Sequence, residues 1–190
     1  ENRMVWLIVA GVFVVLVLVV MSMYNTLVRR RIDTDNAWSQ IDVQLKRRYD
    51  LIPNLVETVK GYASHERDTL EAVIAARSKA VDLSGGRNVA QRAEAEGVLS
   101  QTLGRLFALA EAYPELKANT NFMKLQEELT STENRIGFAR QHYNDSVARY
   151  EESRQAFPTN LIAGAFNFEK RDYFNITSAA EREAPKVSFS

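Results

Sequence analysis

The fold is decided by residues 38–83, which have the sequence WSQIDVQLKRRYDLIPNLVETVKGYASHERDTLEAVIAARSKAVDL. Alternate steps of three and four residues meet mostly apolar side chains, and the positions between them are largely polar. Such an apolar stripe is typical of an amphipathic helix with a coiled-coil-like seam, and it predicts a long helix packed against other helices. The stripe comprises Trp38, Ile41, Leu45, Ile52, Leu55, Val59, Tyr62, Val73, Ala76, Ala80 and Leu83, and its polar members are Arg48, Glu66 and Thr69.

Pro53 lies inside this predicted helix. Because proline has no amide hydrogen, it removes one backbone hydrogen bond from a helix interior, and we expect a kink or a break near Asp50. Glycines commonly follow the end of a helix, so Gly85 and Gly86 predict where this segment ends.

Residues 4–24, upstream of the stripe, have the sequence MVWLIVAGVFVVLVLVVMSMY and contain no charged residue. With a rise of about 1.5 Å per residue, such a helix spans roughly 30 Å, which is the thickness of the bilayer's hydrocarbon core. Trp6 and Tyr24 lie near its two ends, where aromatic side chains favour the headgroup level. We therefore predict a transmembrane anchor. A buried core helix would find too little apolar surface elsewhere, and a cleaved signal peptide would need small residues where positions 29–31 are arginine.

The three arginines predict the orientation of the anchor. Arg29, Arg30 and Arg31 follow the span, whereas only Arg3, beside Glu1, precedes it. The positive-inside rule then places the C-terminal domain in the cytoplasm. The same arginines are candidate contacts with the membrane surface, since a basic side chain near anionic headgroups contributes about 1 kcal/mol.

Two further helices are predicted downstream. Asn88 can cap the second, with Gln91 completing a capping-box arrangement, and Pro114 limits its extent. The third extends from about Asn121 to Phe157, with apolar residues at the same spacing. All the predicted elements are helices, so the expected fold is all-α. Short links between them favour antiparallel neighbours. It is an up-and-down antiparallel bundle of three long helices, or four if the first breaks at Pro53.

The chain beyond the third helix is rich in aromatic residues, which are rarely left in solvent at this density. Phe166, Phe168, Tyr173 and Phe174 predict a short strap that closes the bundle end, or a surface for self-association, before a polar tail at residues 181–186. The expected domains are an N-terminal tail and transmembrane helix at 1–25, a helical bundle at 26–157, and a strap and tail at 158–190.

Composition and motifs exclude several classes of function. The net charge is zero, so nucleic acid has no global electrostatic reason to bind, and the absence of cysteine excludes thiolate chemistry. No nucleophile elbow, phosphate loop or zinc-protease helix is present. His65 and Glu66 point about 100° apart as adjacent helical residues, so they cannot chelate one ion together. His65 and His142 are therefore expected to be ordinary helix-surface histidines. No enzyme activity, cofactor or metal is therefore expected.

Residues 37–56, AWSQIDVQLKRRYDLIPNLV, resemble the signature of the LemA family, as do Lys60-Gly61-Tyr62-Ala63, Glu133-Asn134-Arg135-Ile136 and Phe157-Pro158. The resemblance extends over essentially the whole chain. It implies a bacterial, membrane-anchored helical bundle without catalytic residues. Some members of the family are implicated in remodelling intracellular membranes, and others occur beside membrane metalloproteases. Some also carry a lipobox cysteine in place of a span, which this chain lacks.

Arg47, Arg48, Asp50 and Asn54 are the most unusual polar group of the signature. One interpretation is an ion-pair and capping network around Pro53. The other is a contact patch for a partner or a second subunit, since arginine recognises carboxylates well. The expected function is a membrane-anchored scaffold that self-associates and is not an enzyme. The alternative is an adaptor or regulator of another membrane protein, such as a membrane metalloprotease.

Overall fold

A computed structural model describes residues 2–86 and 88–175, and in that part of the chain every regular element is a helix. The six helices are α1 (Asn2–Lys60), α2 (Arg67–Asp82), α3 (Val89–Ala110), α4 (Pro114–Lys117), α5 (Thr120–Gln155) and α6 (Thr159–Ala165). The predicted all-α class is confirmed. The polar tail at 181–186 lies outside the described residues.

The predicted helix boundaries after residue 84 agree closely with the structure. Asn88 is the N-cap of α3, and its side-chain oxygen accepts a hydrogen bond of 3.0 Å from the Gln91 amide. This bond satisfies one of the amides that have no partner in the first turn of a helix. Helix α3 ends at Ala110, before Pro114, and α5 begins one residue before the predicted start at Asn121.

Of the two alternatives expected at Pro53, a kink or a break, the break does not occur, because α1 continues through Pro53 to Lys60. Proline removes the hydrogen bond that would reach the carbonyl of Tyr49, four residues earlier. The Arg77 side chain, from α2, takes the place of the missing amide: its Nε donates to the Tyr49 carbonyl oxygen at 2.8 Å. Because the carbonyl has another donor, the proline costs less than in an isolated helix.

The first amphipathic segment breaks instead at residues 61–66, so it forms two helices rather than one. The Ala63 amide donates to the Val59 carbonyl at 2.8 Å, and the Ala63 side chain is fully buried. The hydroxyl of Tyr113 donates to the Glu66 carboxylate at 2.8 Å. The stripe carries the polar Glu66 at this point, so no apolar packing favours a continuous helix.

The described residues divide into two compact units, and α1 and α5 each contribute to both. One unit comprises the described residues of Gln40–Gln141 and Asp172–Ser190. There the later part of α1 packs with α2, α3 and the earlier part of α5 as four long helices in up-and-down order. The core is the predicted stripe and its counterparts, with Ile41, Leu45, Ile52, Leu55, Val59, Val73, Leu99, Leu106, Phe122, Leu129 and Ile136 all buried.

The other unit comprises the described residues of Glu1–Ser39 and His142–Arg171. It pairs the earlier part of α1 with the later part of α5, antiparallel, and adds α6 and the chain that follows it. Its core is a cluster of Leu27, Tyr150, Ala163 and Phe168, with Ile162 packed against it. The Thr34 hydroxyl reaches the Ser146 carbonyl in the same unit.

A Schellman turn ends α6 and turns Phe168 into this cluster. Asn167 adopts a left-handed conformation with φ 53°, which asparagine tolerates better than most residues. The Phe168 amide donates to the Ala163 carbonyl at 2.9 Å and the Asn167 amide to the Gly164 carbonyl at 3.4 Å. These are the two bonds of the motif.

Candidate membrane anchor and buried charge network

The apolar start of α1 has the properties of a membrane span. It is the one stretch of the described residues that is long and apolar enough to cross a bilayer, and none of it is buried within the protein. Leu7, Phe13 and Leu16 are all more than half exposed. Because a core helix of a soluble protein would be covered by its neighbours, the exposure favours the predicted anchor over that alternative.

Aromatic side chains surround the end of this apolar stretch. The ring of Tyr24 lies 4.9 Å from that of Phe166 and 5.7 Å from that of Phe168, both edge to face. The guanidinium of Arg31 lies 5.3 Å from the centre of the Phe168 ring, within the range of a cation–π interaction. Of the predicted strap residues, Phe168 and Phe174 are buried, whereas Phe166 and Tyr173 remain exposed.

Glu151 fastens the strap to α5. Its buried carboxylate accepts hydrogen bonds from the Arg154 side chain at 2.8 Å and the Arg171 backbone amide at 2.9 Å, and a third comes from Gln155. Burial alone would raise the pKa of Glu151, but these hydrogen bonds outweigh it and hold the pKa below its ordinary value. The neighbouring Tyr150 hydroxyl donates to the Glu169 carbonyl at 2.8 Å.

Arg29, Arg30 and Arg31, the predicted membrane-surface residues, lie in α1 one to two turns beyond Tyr24. Arg29 and Arg31 are exposed, as the prediction requires, and Arg30 is half-buried. Arg30 lines a shallow groove of about 400 Å³ with Asp33, Asn36, His142, Ser146 and Arg149. The lining contains one carboxylate and two guanidinium groups, so the charge of the groove is mixed rather than strongly basic.

The predicted patch of four polar residues does not form one surface. Arg48 is fully buried, whereas Arg47, Asp50 and Asn54 are exposed. The inclusion of Arg48 in a contact patch was therefore wrong, because its position on the apolar stripe turns it into the core. Arg47 lies 3.7 Å from Glu128 and Asp50 lies 3.4 Å from Lys46, both as surface pairs. For the three exposed residues the contact patch stays a prediction.

Arg48 is the centre of a buried charge network. One of its terminal nitrogens is paired with the Glu96 carboxylate, which is also fully buried. The other lies 2.5 Å from Glu133 Oε2 and 2.8 Å from Ser100 Oγ. Burying an arginine is costly unless it is paired and hydrogen-bonded, so these partners make its position in the core possible.

Tyr49 completes the network by donating its hydroxyl hydrogen to Glu96. Burial and the negative charge of Glu96 raise the pKa of Tyr49 well above its ordinary value of 10.0, so the phenol stays neutral. Arg92, also in the core, is paired with Asp42 of α1. Helix α3 is thus held to α1 by two ion pairs in addition to apolar packing.

Sequence reasoning missed Glu96, Glu133 and Arg92 as the partners in this network. The available signal for Glu96 was its position between Ala93 and Leu99 on the apolar face of α3, where a carboxylate needs a partner. His65 and His142 are exposed, and within residues 2–86 and 88–175 no three acidic or histidine side chains are grouped to hold a metal ion.

An exposed apolar span, an all-helical bundle and a buried ion-pair network define a class of membrane-associated helical-bundle proteins. The sequence pattern of the LemA family matches residues 37–189, and the chain belongs to that family. Among its relatives is the magnetosome protein MamQ 1 of Paramagnetospirillum magneticum, 25% identical over 83% of this chain and 66% of its own length. The protein LemA of Metamycoplasma hominis is 25% identical over 86% of this chain and 71% of its own length. The magnetosome protein MamQ of Magnetospirillum gryphiswaldense is 24% identical. The chain thus spans just under two thirds of the magnetosome relatives.

Proposed function

We propose that the protein is a non-enzymatic scaffold, anchored in the bacterial inner membrane by α1, that self-associates and organises the membrane around it. The magnetosome proteins MamQ among its relatives support a role in membrane organisation.

The observation that carries self-association is the exposed apolar surface of the helical unit of residues 40–141. Phe138, on α5, is 74% exposed, and Val43, on α1, is 64% exposed. Arg48 on α1 contacts Glu133 on α5, so the antiparallel pairing places Val43 and Phe138, five residues from each, at the same level of the two helices. Exposed apolar side chains that lie together are typical of protein contact sites, whereas single ones are not. A second copy of the chain would cover them without any need for a net charge of opposite sign, which suits a chain of zero net charge.

Mass measurement of the full chain in mild detergent tests the proposal. The wild type should contain more than one copy, and Phe138→Glu should shift it towards the monomer, because the new charge would be buried at the contact. Gln101→Glu is the control: it adds the same charge at an exposed position of α3, away from Phe138, and removes no apolar surface. A strict monomer at every wild-type concentration would refute self-association.

A partner protein is the second proposed role, and the exposed Arg47, Asp50 and Asn54 are its candidate contacts. Proximity labelling in cells separates the two roles. A scaffold should mostly label copies of itself, whereas an adaptor should label another membrane protein, such as a metalloprotease. Loss of that label in Arg47→Glu would assign the contact to this patch.

The proposed cytoplasmic orientation can be tested because the chain has no cysteine. Gly85 is exposed in the link between α2 and α3, and a Cβ there would meet nothing within 4 Å. A membrane-impermeant maleimide should fail to label Gly85→Cys in intact spheroplasts and should label it once the spheroplasts are permeabilised. Labelling of intact spheroplasts would place the domain outside.

A further inference from the structure

Three large apolar side chains around α6 are exposed in the unit that contains the apolar start of α1. Phe157 is 81% exposed, Leu161 63% and Phe166 56%. The opposite side of α6 is packed, with Ala163 buried in the core cluster and Ile162 against it. The short helix therefore has an inner apolar side that holds it in place and an outer apolar side that has no cover among the described residues.

The contact between Phe166 and Tyr24 sets the depth of this surface. Their ring centres are 4.9 Å apart, and Tyr24 is the last residue of the apolar stretch. When α1 crosses a bilayer, Tyr24 lies at the headgroup level, and Phe166 lies at the same level beside it. The clamp of Glu151 on the Arg171 amide and the Schellman turn after α6 fix the strap in this position.

From this geometry we propose that Phe157, Leu161 and Phe166 form a second membrane contact, in which α6 lies in the bilayer interface beside the span. The occupant of the exposed surface is the bilayer itself, because the surface is continuous with the lipid-facing surface of α1. Apolar side chains beside basic residues are typical of interfacial segments, and Arg31, exposed and stacked on Phe168, supplies the positive charge. The inference rests on the insertion of α1 and goes beyond the scaffold role. Two points of contact would fix the angle at which α1 leaves the membrane.

Lipid quenching of single fluorophores tests the proposal in the full chain. Because the chain has no cysteine, Phe157→Cys and Leu161→Cys each carry one label at an exposed site outside the core. The labelled proteins are reconstituted into phosphatidylcholine–phosphatidylglycerol vesicles with and without acyl-chain bromine. Ile74→Cys is the control, an exposed apolar residue on α2 that is not part of the contact proposed for self-association, and Val12→Cys reports on the span itself.

Labels at positions 157 and 161 should lose fluorescence in brominated vesicles, less than the label at 12 and clearly more than the label at 74. Quenching at 12, with no more at 157 and 161 than at 74, would overturn the second contact and leave the anchor intact. Blue-shifted emission at 157 and 161 without bromine quenching would show a protein cover and would also overturn it. Absence of quenching at 12 would overturn both the anchor and this inference.

Discussion

The buried pair of Arg48 and Glu96 gives the strongest prediction for stability. In Arg48→Met the side chain keeps a similar length, but the Glu96 carboxylate loses its cation in the core, where both side chains are fully buried. Removing one partner of a buried ion pair costs about 3–5 kcal/mol, because the remaining charge is neither solvated nor paired. For a chain of this size the loss lowers the midpoint of thermal unfolding by about 6–20 °C.

Thermal unfolding of the full chain in detergent, followed by far-ultraviolet circular dichroism, measures this loss. Lys46→Met is the control, since it breaks an exposed pair with Asp50 that is worth about 0–1 kcal/mol. Arg48→Met/Glu96→Met should recover part of the loss, because no buried charge is then left alone. If Arg48→Met unfolds at the same temperature as Lys46→Met, the buried network does not stabilise the bundle as described.

Three further predictions follow from the contacts in and around the bundle. Arg77→Met should lower the free energy of unfolding, measured in urea, by about 1–3 kcal/mol, because the buried Tyr49 carbonyl loses its donor. Pro53→Ala should rescue this variant by restoring a backbone amide as the donor. Equal losses with and without Pro53→Ala would contradict this role of Arg77. The raised pKa of Tyr49 contributes stability that is fully present below pH 10 and is lost as the pH rises towards the folded-state pKa. Tyr49→Phe should therefore flatten the fall in the free energy of unfolding at alkaline pH. An unchanged fall would count against this role of Tyr49. The lowered pKa of Glu151 contributes stability that is present above its ordinary value of 4.5 and is lost as the pH falls through the folded-state pKa. Because the ionised carboxylate accepts the hydrogen bonds that hold the strap, Glu151→Gln at neutral pH should speed hydrogen exchange in residues 159–171. Exchange as slow as in the wild type would show that these hydrogen bonds are dispensable.

Local patterns in the sequence predicted the long helices α3 and α5 with nearly their observed bounds. The cap at Asn88 and the limit at Pro114 depend on a few neighbouring residues, so they could be placed without knowledge of the fold. The apolar stripe also predicted most of the core residues of α1 and α2. These features depend on helix geometry, which acts over one or two turns.

The fate of Pro53 could not be predicted from local pattern, because it depends on a distant side chain. No residue near Pro53 in the sequence indicates that Arg77 donates a hydrogen bond to the carbonyl of Tyr49. The partners of Arg48 lie 48 and 85 residues away, and their pairing follows only from the arrangement of three helices. From the sequence, Arg48 on the apolar stripe was compatible with either a buried ion-pair network or a contact patch. The tertiary structure shows that Arg48 is buried.

The aromatic strap shows the same division between local and tertiary information. Its composition correctly indicated that some of its rings would be buried, as Phe168 is. The contact of Phe166 with Tyr24 joins the strap to the end of the apolar stretch, and no spacing rule connects these two residues.

Counting subunits in native membranes tests the central claim of a membrane-anchored, self-associating scaffold most directly. Full-length Gly85→Cys, labelled with one dye per copy and imaged in membrane fragments, should bleach in more than one step in most spots. Phe138→Glu in the same background should move the population towards single steps. Single-step bleaching of Gly85→Cys with Phe138 unchanged, at labelling high enough to detect pairs, would contradict self-association.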